Sequence, residues 1–173
     1  MGFAVKKLHF FQTTIGQKFV VSITGVMLSG FVVFHLFENL LLYVGPESYN
    51  QYTYLLTHNL YFLYTAETFL TTLFIVHMGF ALKLARGNRK ARPLAPKRPS
   101  GQSKSANFAS RSMVLTGLLV LVFLVWHLKS FRFGVHYDTV VSGVAMRDMH
   151  RLVLEEFSEP EELVIYCISL LVL

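Results

Sequence analysis

Three of the chain's seven histidines, His35, His77 and His127, stand inside long apolar stretches. An ionisable side chain in such surroundings is costly to desolvate and usually has a task. A neutral imidazole offers one nitrogen lone pair and one N–H. The chemistry open to these residues is therefore ligation of a metal or haem iron, or a hydrogen bond to a neighbouring helix. For an isolated histidine the helix–helix bond is the commoner role. Three histidines on three separate stretches shift the balance to a metal or haem site. Glu67, in the second stretch, can relay a proton or bond a neighbouring helix.

The elements that must position these groups are membrane spans. Hydrophobic residues make up 53% of the 173 and charged ones only 15%, which places the chain with membrane proteins rather than soluble domains. The stretch from Gln17 to Tyr43, uncharged from Phe19 to Phe34, would extend roughly 40 Å as a helix against roughly 30 Å of hydrocarbon. The run after Lys6 and Lys7 is too long for a signal peptide and lacks a cleavage site, so it is expected to be retained. The single cysteine, Cys167, excludes a disulfide framework and a cysteine metal site.

The pattern predicts an all-α transmembrane helical bundle with spans at about 17–44, 59–86 and 108–131, and an incomplete fourth at 160–173. Residues 1–16 read as an amphipathic lead-in on the membrane surface. Gly45-Pro46 breaks the first span, and Gly16, Gly25, Ser29 and Gly30 permit close approach along it. Residues 87–106, rich in Pro, Ser and basic side chains, read as a loop. An amphipathic helix is expected at about 144–157, and Ser158 as the N-cap of the fourth span, with Pro160 in its first turn. Nine of the sixteen basic residues lie between Lys83 and Arg111, and none between the first two spans. By the positive-inside rule the N-terminus and the 87–107 connection are cytoplasmic, while 45–58 and the segment after Phe131 face outward. Nucleic-acid binding is not the reading of this charge. Its bias serves topology before any docking of a partner by the 83–98 segment.

Depth sorts the histidines. His35 lies roughly 13 Å inside the outer end of its span and His127 roughly 6 Å inside its own, so both fall in the outer half and can reach one iron from opposite sides. His77 lies roughly 27 Å below the outer start of the second span and belongs to the inner half. A partner for it at matching depth would come from the fourth span about 18 residues past Pro160, near position 178. The chain is therefore expected to continue beyond Leu173. Two imidazoles on one iron suit a low-spin haem used for electron transfer, whereas a zinc or copper site gathers three or four ligands at one depth. Two depths suggest two haems. His9, His58, His136 and His150 lie outside the hydrocarbon, and Glu38 and Asn39 hydrate and cap the end of the first span.

Four stretches in order, GQKFVVSITGVMLSGFVVFHLFENL, AETFLTTLFIVHMGFALKLARGNRKARP, ASRSMVLTGLLVLVFLVWHLKSFRFG and MHRLVLEEFSEP, resemble the di-haem cytochrome b subunit of succinate dehydrogenase and fumarate reductase, in the variety with a single large anchor subunit. The resemblance covers nearly the whole chain. It implies five transmembrane helices, two b haems and four axial histidines. His35 and His127 match the ligands of the distal haem, and His77 matches one ligand of the proximal haem. It further implies a flavoprotein subunit, an iron–sulfur subunit and a membrane quinone, commonly menaquinone, as partners, and a place in the bacterial cytoplasmic membrane. The chain would then belong to an enzyme of the tricarboxylic acid cycle without holding dehydrogenase chemistry itself. On this reading Glu67 serves the quinone's protons, and His58 reaches a haem propionate. The alternative is the cytochrome b of another membrane redox complex, such as a hydrogenase, or a non-catalytic anchor.

Overall fold

The computed structural model describes residues 10–91 and 104–172 and is mostly helical. A 3-10 turn, Phe10–Gln12, leads into helix α1, Thr14–Leu40, which ends in a second 3-10 turn, Leu41–Tyr43. Helices α2 (Pro46–Thr57), α3 (Leu60–Ala91) and α4 (Lys104–His127) follow. A π-helical turn, Leu128–Arg132, continues α4. Strands β1 (Asp138–Val141) and β2 (Val144–Arg147) form an antiparallel hairpin, after which come α5 (Met149–Ser158) and α6 (Pro160–Val172). Among the described residues three stretches are long and apolar enough to cross a membrane: Thr14–Tyr43, Leu60–Lys90 and Ser112–Arg132.

The ends of the spans follow from local chemistry. Thr13 caps α1, its Oγ1 accepting the Gly16 N–H at 3.0 Å while donating to the Phe10 carbonyl at 2.7 Å. Any Cβ at Gly16 would overlap that same carbonyl, so glycine is what lets the preceding turn fold onto the helix. Gly45, at φ +135°, stops the first span, and Pro46 opens α2. Asn59 caps α3 through the Phe62 N–H at 3.2 Å.

Contacts divide the chain into two units. One is built on α1 as far as Val32 and on α3 from Glu67; the other holds Val33–Ala66 and everything from α4 onward. In α1 the buried residues are Gly16, Gln17 and Thr24, whereas Val26 is 70% and Phe34 74% exposed. Polar side chains inside and apolar ones outside suit a helix whose solvent is hydrocarbon. The second unit has a more ordinary core of Tyr49, Val141, Met146, Leu152, Val153 and Tyr166. Asn50, 1% exposed, ties α2 to α5 within it. Its Nδ2 donates to Asp148 Oδ1 at 2.9 Å, and its Oδ1 accepts the His150 N–H at 2.9 Å.

Several expectations change. The helix expected at 144–157 begins only at Met149, capped by Asp148 through the Arg151 N–H at 3.0 Å. Residues 144–147 are strand instead, because Ser142 (φ 51°) and Gly143 (φ 80°) form a tight hairpin turn that pairs them with the β-branched run Thr139-Val140-Val141. Ser158 does not cap α6. It is the last residue of α5, where its Oγ donates to the Leu154 carbonyl at 2.6 Å, and the broken turn at Glu159 separates the two helices. The connection between the first two spans is itself a helix, α2. The basic segment expected as a loop from residue 87 stays helical to Ala91 and is helical again from Lys104. Its middle, with most of the amphipathic lead-in at 1–9, lies outside the described residues.

Candidate functional site

The strongest constellation of titratable side chains is in the second unit, where α1 and α4 bring His35 and His127 together. Their ring centroids are 5.6 Å apart and their planes perpendicular, at 90°. His127 is the last residue of α4, at the point where the helix widens into the π turn, a distortion frequent at functional sites. Aromatic rings enclose it: Phe123 stacks at 5.8 Å, Phe131 lies at 5.1 Å and Tyr166 at 6.3 Å. Phe157 closes the cluster at 5.0 Å from Tyr166. The Nδ1 of His127 is buried with no hydrogen-bond partner among the described residues. A buried polar atom left this way calls for a cause, and a ligand is one.

His35 is set differently. The carboxylate of Glu38 stands 3.7 Å from its Nδ1, one turn along the helix. Asn39 Nδ2 donates to the His35 carbonyl at 2.7 Å, and Tyr49 Oη donates to Asn39 Oδ1 at 3.1 Å. Burial, with the Glu38 carboxylate nearby, pushes the Tyr49 phenol up to about 12. Glu38 and Asn39, expected only to cap and hydrate the end of the span, thus belong to the surroundings of His35.

His77 lies in the other unit. Its Nδ1 is 2.9 Å from Thr24 Oγ1, and a Cβ on Gly25 would stand 3.2 Å from its Cε1. Glu67 is half-buried on α3. His58 ends α2, stacked on Tyr54 at 4.9 Å, with Nδ1 against the Tyr54 and Leu55 carbonyls at 3.0 and 3.1 Å. Carbonyls only accept, so His58 carries its proton on Nδ1, and the other nitrogen can donate to a carboxylate only in the imidazolium form.

The donor set decides what such a site can hold. Among the described residues no group of three or more His, Cys, Asp and Glu is placed to bind a metal ion. A bare zinc or copper ion asks for three or four protein ligands. Two imidazoles suit instead a metal that brings its own equatorial ligands, as haem does. The two rings meet directly, edge to face, at 5.6 Å. No protein-family model, curated protein or solved structure matches this chain.

Thr24 and the aromatic cluster of Phe157 and Tyr166 were not anticipated from the sequence. A threonine inside an apolar span is an ordinary helix residue until the facing helix is known. The aromatics sit on segments whose packing no local pattern reveals.

Proposed function

We propose that the chain is a haem-binding membrane anchor of the succinate dehydrogenase and fumarate reductase type, passing electrons between an iron–sulfur subunit and a membrane quinone. The observation that supports the haem reading is the His35–His127 pair, two imidazoles from different helices whose rings meet, with no third metal-ligating side chain grouped with them among the described residues. The assignment to this complex, rather than to another b-type cytochrome, is supported by the resemblance of the four stretches named above. In this reading His35 and His127 hold the distal haem and His77 one side of the proximal haem. Bound by two imidazoles, haem supplies a one-electron carrier with no open position for gas or substrate.

The chain's own residues hold, orient and shield. Phe123, Phe131, Phe157 and Tyr166 exclude water around His127, keeping the local dielectric low. Asn39 and Tyr49 fix the backbone of the last turn carrying His35, and the Glu38 carboxylate stands beside its Nδ1. Glu67 serves proton exchange with the quinone, and His58 lies at the outer surface, within reach of a propionate once protonated. The chain sits in the bacterial cytoplasmic membrane with its N-terminus inside, and its quinone is menaquinone or another membrane quinone. Purification from native membranes tests the assignment. A b-type reduced-minus-oxidised spectrum together with a co-purifying flavoprotein and iron–sulfur protein is expected. A b-type spectrum with a different set of partners would assign the chain to another redox complex, and no haem at all would refute the reading.

A further inference from the structure

The contact between Thr24 and His77 can be resolved to the position of a single proton. The Thr24 hydroxyl lies 2.7 Å from the Val20 carbonyl, 3.2 Å from the Val21 carbonyl and 2.9 Å from His77 Nδ1. A hydroxyl has one proton to give. Two oxygens 2.7 Å apart repel unless a proton lies between them, and the carbonyl has none, so the Thr24 proton points along its own helix. The oxygen lone pair then faces His77 Nδ1 and can only accept. Nδ1 must therefore carry the ring's proton, and Nε2 is left with the lone pair. Gly25 completes the arrangement: its missing side chain makes room for the imidazole edge, since a Cβ there would crowd Cε1 at 3.2 Å and sit 3.7 Å from Nδ1.

We infer that Thr24, back-bonded to its own helix, is the positioning residue that fixes His77 as the Nδ1–H tautomer and presents Nε2 as the ligand atom. The tautomer rests on geometry alone, and its consequence for haem rests on the function proposed above. Partners of this kind orient a ligating histidine and raise its basicity. A more basic ligand favours the oxidised metal, so the bond from Nδ1–H to Thr24 holds the potential of the haem on His77 below the value it would have without that bond.

The test uses the full complex in native membranes, comparing the parent with Thr24→Val and Thr24→Ser. Valine keeps the shape but cannot accept; serine keeps the hydroxyl. Potentiometric titration of the b haems is expected to show one midpoint potential raised in Thr24→Val, the other unmoved, and the parent value restored in Thr24→Ser. Haem retention at the shifted site is expected to weaken about 10- to 100-fold in Thr24→Val. Unchanged potentials and retention in Thr24→Val, or equal losses in the valine and serine variants, would overturn the role of Thr24. Should the parent carry no haem, the proposed function fails while the tautomer remains measurable. Histidine ¹⁵N shifts of the membrane-embedded chain then report protonated Nδ1 at His77 if the inference holds, and protonated Nε2 if it does not.

Discussion

Raising the pH should loosen the second unit through Tyr49, by an amount the structure allows one to work out. The phenol is 4% exposed, donates to Asn39 Oδ1 at 3.1 Å, and has its ring edge-on to His150 at 6.2 Å. Burial and the Glu38 carboxylate raise its pKa from 10.0 to about 12. The folded state thus keeps the proton where the unfolded chain would lose it. Between these two values the unfolded chain binds fewer protons, so stability falls as pH rises. Two pH units correspond to roughly 2–3 kcal/mol, present in full below pH 10 and lost by the time the folded pKa is passed. About half, roughly 1.3 kcal/mol, disappears between pH 9 and 11. Ionisation also removes the donor that holds Asn39, and with it the support of the His35 carbonyl. The assay is reversible unfolding in detergent at pH 9, 10 and 11, for the parent and Tyr49→Phe. Tyr137 is also raised, by the Glu155 carboxylate, so the difference between the two proteins isolates Tyr49. The phenylalanine variant should start about 1 kcal/mol lower, having lost one hydrogen bond, and should show a shallower fall with pH. Parallel curves would refute the reasoning.

Asn50→Ala removes the two bonds that tie α2 to Asp148 and to the His150 N–H, one of them to a carboxylate, and should cost roughly 2–4 kcal/mol. Faster amide exchange confined to α2, the hairpin and α5 checks it, and a fully protected hairpin would count against it. Gly25→Ala should displace the His77 imidazole by a few tenths of an ångström, which offsets the roughly 1 kcal/mol that alanine gains over glycine within a helix. Gly30→Ala, where a Cβ meets nothing within 4 Å among the described residues, should keep that roughly 1 kcal/mol gain, and equal melting temperatures for the two variants would contradict this.

What could be read from the residues alone was whatever composition and breakers control. An apolar run closed by Gly45-Pro46 has few structural outcomes, and α1 with its final turn ends at Tyr43. Fourteen more residues of strong pattern, Val144–Phe157, misled, because amphipathic spacing cannot by itself exclude a strand at its start. The Ser142-Gly143 turn and the Asp148 cap decided that boundary. Partners distant in sequence were beyond any local pattern. Asn50 meets Asp148 across 98 positions, and Thr24 meets His77 across 53, through helix rotations that periodicity leaves undetermined. His35 and His127 were expected at similar depth by counting helical rise, and their rings do meet. His77 belongs to the other unit, where Thr24 and Gly25 are its neighbours.

Whether His35 and His127 share an iron is decided by the reduced-minus-oxidised spectrum of His35→Ala, His127→Ala and the double variant in native membranes. Two imidazoles on one iron act as a unit, so each single change should remove the same haem, and the double change should remove no more than either alone. The haem assigned to His77 should remain in all three. Loss of different haems in the two single variants, or of both haems only in the double, would show that His35 and His127 do not share an iron.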